Sequence, residues 1–360
     1  MKKLINFSEA IEKTVSCSTR HLLLGNGFSI ACDPNIFTYD SIFKEADFGN
    51  LPEIKEAFKL LKVTDFELVI DALEKSSTIL PAYQKESEDI REKMLADSKS
   101  IKEVLILTIS SRHPAFPSQI SEESYTKCRK FLSHFIQKKS NGRIYTLNYD
   151  LLLYWTLMHE LDDKNSDTQF SDGFGRDSWV DNGEITYSDE LTWQGKSLYQ
   201  NIHYLHGGLH LFDKGHKLKK ISWTDTGYSL IDQSRKALEN DEFPLFVTEG
   251  DNLKKMEKIH HNAFLFNSFQ SFEDITNAGK GPVGNTCLFT YGVSFSINDQ
   301  HIFNRIAQGR IKLLLVSIYG DPNSSDNKRI ISNAEALKTQ RSKYPLDIIY
   351  YDASSAEVWN

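Results

Sequence analysis

The sequence HLLLGNGFS at residues 21–29 is the most informative stretch for the fold of this chain. Residues 21–24 form a short apolar run, and the turn-forming residues 25–27 (GNG) follow it directly. Two glycines allow a tight turn and a close approach of the backbone to a phosphate, and Ser29 can donate a hydrogen bond. The dinucleotide fingerprint has a third glycine where this chain has Ile30, so a plain strand-to-helix turn remains an equal alternative for this motif alone.

Six further apolar runs extend the pattern along the chain, and most of them end in glycine or polar residues. Continuous apolar runs are typical of strands that are covered on both faces, as in a parallel sheet. Helical patterns at residues 298–307 and 328–337 alternate with the last strands, which predicts right-handed βαβ crossovers. The chain is therefore expected to form a doubly wound, Rossmann-like α/β fold, a parallel sheet flanked by helices. The six runs are residues 143–147, 202–205, 244–247, 287–291, 312–319 and 346–351.

Residues 39–139 have almost no strand signal and several amphipathic stretches. We predict that they form a helical insertion, or cap, after the first strand, packed beside the ligand site. Residues 1–38 and 140–360 would then form the α/β core. Within that core, residues 162–200 are rich in Asp, Ser, Gly and Trp and are expected to be a loop-rich excursion.

Composition excludes several classes of protein. The 22 Phe, 15 Tyr and 5 Trp supply too much apolar surface for general disorder, and no apolar run is long enough to span a membrane. The chain has 42 Lys+Arg against 49 Asp+Glu, and this acidic balance argues against direct nucleic-acid binding. With no signal-peptide pattern either, a cytoplasmic location is expected. The four cysteines are far apart, so we expect neither a disulfide framework nor a metal site.

Polar residues follow two more of the predicted strands. Asn148 and Asp150 come after the run at 143–147, and His206 comes after the run at 202–205. Ligands of parallel sheets bind beyond the carboxyl ends of the strands, where these residues are expected to meet. An asparagine can hold a ribose hydroxyl or a water molecule, and a histidine can accept a proton near neutral pH. Taken singly, Asn148 also fits a turn cap and His206 a structural histidine.

Four motifs, in this order, resemble those of the sirtuin-type NAD-binding fold. Residues 25–29 (GNGFS), 146–150 (TLNYD) and 205–207 (LHG) match its turn, its Asn-containing motif and its His-Gly motif. Residues 291–296 (YGVSFS), followed by Asp299, are similar to a late segment that borders the adenosine side of the site. The likeness is greatest to the bacterial anti-phage branch of NAD-hydrolysing effectors, and it extends from about residue 20 to residue 310.

The resemblance assigns roles to particular residues. Asn148 would orient the ribose and a water molecule, His206 would accept a proton, and Asp150 would stabilise positive charge or bind the carboxamide. These three form the expected catalytic set. The expected NAD-binding residues are Gly25, Asn26, Gly27, Phe28, Ser29, Gly292, Ser294 and Asp299.

The function implied is cleavage of the bond between nicotinamide and ribose, with NAD⁺ as the substrate rather than a cofactor. The resemblance further implies abortive infection during phage attack, self-association into a homo-oligomer, and control by a protein partner or a phage-derived trigger. A deacylase is disfavoured because the chain has no cysteine between Cys128 and Cys287 for a zinc ribbon. The alternative is a catalytically silent sensor that binds NAD or ADP-ribose and acts through a partner; the presence of both Asn148 and His206 favours the enzyme.

Overall fold

The structure, a computed structural model, describes most of the chain. In the described part, no helix is both long enough and apolar enough to cross a bilayer. The described residues are 4–49, 51–137, 141–160, 168–181, 183–195, 198–222, 227–240, 242–277, 286–341 and 344–360.

Ten strands form two sheets in the described residues. The larger sheet has the order β10-β9-β8-β1-β2-β5, and every pairing in it is parallel. Renumbered along the chain within this sheet, the order is 3-2-1-4-5-6, that of a doubly wound Rossmann-like fold. The predicted α/β class with a parallel sheet is confirmed. The strands are β1 (Thr19–Leu24), β2 (Ile144–Thr146), β3 (Phe174–Asp181), β4 (Glu184–Trp193), β5 (Ile202–Tyr204), β6 (Leu211–Asp213), β7 (Leu218–Lys220), β8 (Thr286–Tyr291), β9 (Leu313–Ile318) and β10 (Asp347–Asp352).

The centre of the sheet is apolar on both faces. Leu22 lies opposite Ile144 of β2 and Phe289 of β8, and all three side chains are fully buried. Burial of such side chains stabilises a fold by about 1.5–3 kcal/mol each. The leucine-rich run that precedes the glycine turn therefore forms the central strand.

The second sheet corrects the prediction for residues 162–200. Its order is β3-β4-β7-β6, and its pairings are antiparallel. Strands β3 and β4 were expected to be loop; residues 161–167, 182 and 196–197 lie outside the described part. Conversely, the run at 244–247 forms only an isolated bridge, between Gly207 and Phe246.

Fourteen α-helices accompany the sheets in the described residues. In chain order they are α1 (Phe7–Glu12), α2 (Gly27–Cys32), α3 (Pro34–Phe37), α4 (Tyr39–Glu45), α5 (Pro52–Leu61), α6 (Phe66–Tyr83), α7 (Glu88–Arg112), α8 (Glu122–Ser133), α9 (Leu152–Glu160), α10 (Leu230–Glu239), α11 (Asn252–His261), α12 (Ala263–Asn277), α13 (Gln300–Gln308) and α14 (Ser325–Thr339).

The described residues of 39–139 fold into helices α4 to α8. Asp65 begins α6 by accepting hydrogen bonds from the backbone N–H groups of Glu67 and Leu68. Helices α4 to α7 share an apolar cluster that includes Phe58 and Phe66, whereas α8 packs into the main core through residues such as Phe131. Residues 50 and 138–140 lie outside the described part, and the division into core and insertion stays a prediction.

Candidate active site

A cavity of about 1920 Å³ lies at the carboxyl ends of the parallel strands. Its wall includes residues that follow β1, β2, β5 and β8, and helices α4 to α6, helix α14 and the C-terminal residues 357–360 contribute further lining. Strands β1 and β8 are neighbours although they are far apart in sequence, so the cavity lies at the topological switch point where doubly wound sheets bind ligands. Small-molecule pockets commonly measure about 300–1,000 Å³, so this cavity has room for a dinucleotide.

Three glycines let two loops touch at this switch point. The backbone N–H of Gly27 donates to the carbonyl of Gly292 at 2.9 Å. A Cβ atom on Gly25 would lie 2.6 Å from that carbonyl oxygen, and one on Gly27 would lie 2.5 Å from the Cα of Gly292. Gly292 also has a φ of +66°, which a side chain would disfavour. Packing of the turn after β1 on the turn after β8 therefore requires glycine at all three positions.

Asn148, Ser29 and Asp150 form a buried hydrogen-bond chain at the cavity floor, where Asn148 and Asp150 line the cavity and Ser29 lies beneath them. The Asn148 Nδ2 donates to the carbonyl of Gly25 at 3.0 Å and to Ser29 Oγ at 2.9 Å. Ser29 Oγ in turn donates to Asp150 Oδ2 at 2.5 Å, and Asp150 Oδ1 accepts from the backbone N–H of Leu152 at 2.9 Å. Both hydrogens of the Asn148 amide are thereby used, which fixes the direction of its Oδ1.

His206 lines the cavity and is paired with a second buried histidine. Its Nε2 lies 3.1 Å from Nε2 of His301, and the two ring planes are within 22° of parallel with centroids 5.2 Å apart. Burial first, and the Lys255 ammonium second, lower the pKa of His206 well below its usual 6.5. The imidazole is therefore neutral at neutral pH, which is the form that can accept a proton.

A fully buried lysine joins the helical segment to the sheet beside these histidines. Lys255 Nζ on α11 lies 2.7 Å from Glu67 Oε2 on α6 and 3.3 Å from Asp299 Oδ1. Glu67 also lies 3.1 Å, through Oε1, from the Tyr149 hydroxyl, which donates to the carbonyl of Val247 at 2.8 Å. One ammonium thus holds carboxylates from two distant parts of the chain.

Burial dominates the electrostatics of this ion cluster. It raises the pKa of Glu67 to about 7, with Asp299 and Asp65 adding to the rise and Lys255 opposing it. For Lys255, the carboxylates of Glu67 and Asp299 outweigh burial and raise the pKa, so the ammonium stays charged. Three acidic side chains, Glu67, Asp299 and Asp65, lie near this one ammonium, so acidic groups outnumber basic ones in this part of the cavity.

The structure brings nine of the predicted site residues to the cavity and leaves two outside its lining. The Phe28 ring is buried against Trp359, with ring centroids 5.1 Å apart. Ser29 is also fully buried, and its hydroxyl serves Asn148 and Asp150 instead of the cavity. The nine that line the cavity are Gly25, Asn26, Gly27, Asn148, Asp150, His206, Gly292, Ser294 and Asp299.

Several residues that the sequence did not suggest belong to the same site. Lys255, His301 and Tyr149 were not singled out, and Glu67 lies on an amphipathic helix, where acidic residues are normally exposed. In the structure the Glu67 residue is only 7% exposed and is paired with Lys255. One feature of the sequence could have pointed to Glu67: it lies on the first turn of α6, directly after the helix-capping residue Asp65 and Phe66.

Three side chains of the site, those of His206, Asp299 and His301, are of types that bind metal ions. Ligand atoms of His206, Asp299 and His301 lie within 4.8 Å of one another. The Lys255 ammonium, 3.3 Å from the same Asp299 oxygen, opposes a divalent cation there. A hydrogen bond accounts for the 3.1 Å separation of the two imidazole nitrogens.

The fold and cavity define a Rossmann-like α/β protein with a large cavity at the switch point of its sheet. Residues 22–359 match the sequence profile of the family described as "Domain of unknown function (DUF4917)", and the chain belongs to that family. A comparison with curated proteins returned no match.

Proposed function

We propose that this protein is an NAD⁺ glycohydrolase that releases nicotinamide and ADP-ribose. The observation that carries the proposal is a buried, neutral histidine, His206, in the wall of a dinucleotide-sized cavity at the switch point of a Rossmann-like sheet. The ordered motifs that resemble the sirtuin-type fold meet at this cavity, because Gly25, Asn148, His206 and Gly292 all line it.

The reaction asks for few groups beyond those present. The glycosidic bond breaks with its electron pair moving to the pyridinium nitrogen, so nicotinamide leaves as a neutral molecule without protonation. A water molecule bonds to the anomeric carbon and gives one proton to His206, which later releases it to solvent. The products are nicotinamide, ADP-ribose and one proton.

Asn148 is proposed to orient the substrate through its amide oxygen. Because its two amide hydrogens are donated to Gly25 and Ser29, Oδ1 remains to accept from a ribose hydroxyl or from the attacking water. Asp150 acts on the substrate indirectly, through Ser29 and Asn148, because its two oxygens accept hydrogen bonds from Ser29 and from the backbone of Leu152. This assigns Asp150 to holding Asn148 and contributing negative charge, rather than to binding the carboxamide.

The negative ion cluster suits a substrate that carries positive charge at the reacting end. Glu67 and Asp299 line the cavity, and Lys255 offsets only part of their charge. Nicotinamide in NAD⁺ is cationic, and the ribose becomes oxocarbenium-like as the bond breaks. Carboxylates fixed beside the reacting carbon would stabilise that developing charge.

An NAD- or ADP-ribose-binding sensor is the second candidate. The observation in its favour is that Asn148 and Asp150 are both engaged in internal hydrogen bonds, as structural residues would be. The two candidates differ in one outcome: a sensor binds NAD⁺ and releases no nicotinamide. The missing zinc ribbon continues to disfavour a deacylase.

The wider biology follows from the resemblance and belongs to the same proposal. It comprises a cytoplasmic effector of abortive infection, a helical cap formed by residues 39–139, self-association, and control by a partner protein or a phage-derived trigger. The helical region supplies exposed apolar side chains suitable for an interface, among them Leu60, Ile79 and Tyr83.

Nicotinamide release from purified protein incubated with NAD⁺ tests the proposal. His206→Gln and Asn148→Ala should each lower the rate by about 10²–10⁴-fold, and their effects should not add because both groups act on one transition state. His261→Gln is the matched control, since His261 is an exposed histidine on α11. Equal rates for His206→Gln and wild type would refute the assignment.

A further inference from the structure

The orientation of one amide, that of Asn252, is fixed by partners whose roles are not ambiguous. Asn252 Oδ1 accepts from the backbone N–H of His301 at 3.0 Å, and a backbone N–H can only donate. Asn252 Nδ2 donates to the carbonyl of Ile297 at 2.8 Å, and a carbonyl can only accept. The oxygen and nitrogen of this side chain are therefore assigned by its neighbours.

This orientation determines where the protons lie on the two paired imidazoles. Nδ1 of His301 lies 2.9 Å from the same Asn252 oxygen, so Nδ1 must carry a hydrogen. The neutral His301 ring then has its lone pair on Nε2, 3.1 Å from Nε2 of His206. His206 Nε2 must be the donor of that bond, which leaves the lone pair of His206 on Nδ1. Within the described residues, that Nδ1 has no hydrogen-bond partner, and His206 lines the cavity.

We propose that His301, held by Asn252, is the positioning residue that fixes the tautomer of His206, so that Nδ1 of His206 accepts the proton of the attacking water. The catalytic part of this inference rests on the proposed function, whereas the tautomer assignment does not. When the water O–H bond breaks, its proton goes to Nδ1 and its oxygen bonds to the anomeric carbon. The glycosidic electron pair goes to nicotinamide.

The same pair would stabilise His206 after it has gained the proton. Nε2 of the resulting imidazolium keeps its hydrogen bond to the neutral His301, and that bond becomes charge-assisted. Asp299 Oδ1 lies 3.8 Å from the same Nε2 and attracts the new positive charge. The Lys255 ammonium, which lies 3.3 Å from the same Asp299 oxygen, opposes that charge.

NMR of the full chain labelled with ¹⁵N-histidine tests the tautomer directly, without any substrate. Long-range ¹H–¹⁵N correlations separate a protonated ring nitrogen from one with a lone pair, and the signals of His206 are assigned by their loss in His206→Gln. At neutral pH we expect a protonated Nε2 and an unprotonated Nδ1. The reverse pattern would overturn the proposal.

Variants of Asn252 test whether the pair fixes that tautomer. Asn252→Leu removes the acceptor and should shift both His206 nitrogen signals toward averaged values, whereas Asn252→Asp keeps the acceptor and should restore the wild-type pattern. Asn262→Leu is the structural control: Asn262 caps the next helix, and its loss should lower the melting temperature and leave the His206 signals unchanged. Unchanged His206 signals in Asn252→Leu would overturn the positioning role of His301.

Kinetics of the same variants separate the two parts of the inference. Loss of outer partners that fix a histidine typically costs about 10–100-fold in metal sites, so Asn252→Leu should lower kcat by about 10-fold with little change in KM. The expected tautomer without nicotinamide release from wild type would refute the proposed function and leave the tautomer assignment standing. Nicotinamide release with the reverse tautomer would refute the positioning role and leave the function standing.

Discussion

Replacing Lys255 with methionine tests whether the buried ion cluster organises the site. Methionine has a similar length and removes the charge together with the two hydrogen bonds that Nζ donates. Lys255 is fully buried and lies 2.7 Å from Glu67 and 3.3 Å from Asp299, so its loss leaves two carboxylates without a counter-ion. Breaking a buried pair costs about 3–5 kcal/mol. Glu67, with a pKa already near 7, can bind a proton and so lose its unpaired charge. We therefore expect the free energy of unfolding to fall by about 3 kcal/mol, the lower end of that range.

The assay is chemical denaturation of Lys255→Met beside a matched control on the same helix. Lys258→Met removes an ion pair with Glu249 whose lysine is 38% exposed, and such pairs contribute about 0–1 kcal/mol. Adding Glu67→Gln to Lys255→Met removes the more buried of the two unpaired carboxylates and should recover at least half of the loss. Equal costs for Lys255→Met and Lys258→Met, or no recovery in the double variant, would refute the reasoning.

The pH dependence of the same difference has a definite sign. When a carboxyl group has a higher pKa in the folded than in the unfolded state, the free energy of unfolding of the protein falls as the pH rises from the unfolded pKa to the folded pKa. In wild type this loss ends near pH 7, where Glu67 ionises, but without Lys255 the pKa of Glu67 rises further and the loss continues. The deficit of Lys255→Met should therefore widen above pH 7, by up to about 1.4 kcal/mol per pH unit. A deficit that stays constant between pH 7 and 8.5 would contradict this assignment.

Four further outcomes are expected. Gly292→Ala should destabilise the protein by about 1–3 kcal/mol more than Gly215→Ala in denaturant titrations, since both glycines have a positive φ but Gly215 faces open space. Burial lowers the pKa of His113 to about 4. The free energy of unfolding should therefore fall by about 3 kcal/mol as the pH falls from 6.5 to 4, because the unfolded chain binds this proton first. A flat stability profile over that range would contradict the assignment. Ser29→Ala should lower the melting temperature and kcat and should change NAD⁺ affinity little, because the Ser29 hydroxyl holds Asn148 in place. An effect on KM alone would contradict this expectation. Light scattering at micromolar concentration should report an oligomer, and a monomer would count against self-association.

The sequence predicted the sheet because its strands are buried on both faces. The runs that form β1, β8 and β9 could be predicted from local sequence alone, because a continuous stretch of Leu, Phe and Val is typical of a buried strand. The hairpin of β3 and β4 was missed for the opposite reason. Most of its side chains are at least partly exposed, so no apolar run marks it, and cross-strand bonding alone defines it.

The candidate site was predicted only where a motif follows a strand. Asn148 and His206 come directly after apolar runs, and the topology of parallel sheets brings such residues to one edge. Lys255 and Glu67 are 188 residues apart and lie on helices, where charged residues are normally exposed. Their burial depends on tertiary packing of α6 against α11, which no local pattern encodes. The His301 pairing is hidden in the same way, because it joins residues 95 positions apart.

Nicotinamide release and NAD⁺ binding, measured on the same preparations of wild type and His206→Gln, test the central claim most directly. We expect wild type to convert NAD⁺ to equal amounts of nicotinamide and ADP-ribose, and His206→Gln to bind NAD⁺ with similar affinity by calorimetry while releasing at least about 10²-fold less nicotinamide. Wild-type protein that binds NAD⁺ without cleaving it would favour the sensor over the enzyme. Equal nicotinamide release by the two proteins, or no binding of NAD⁺ by either, would contradict the account.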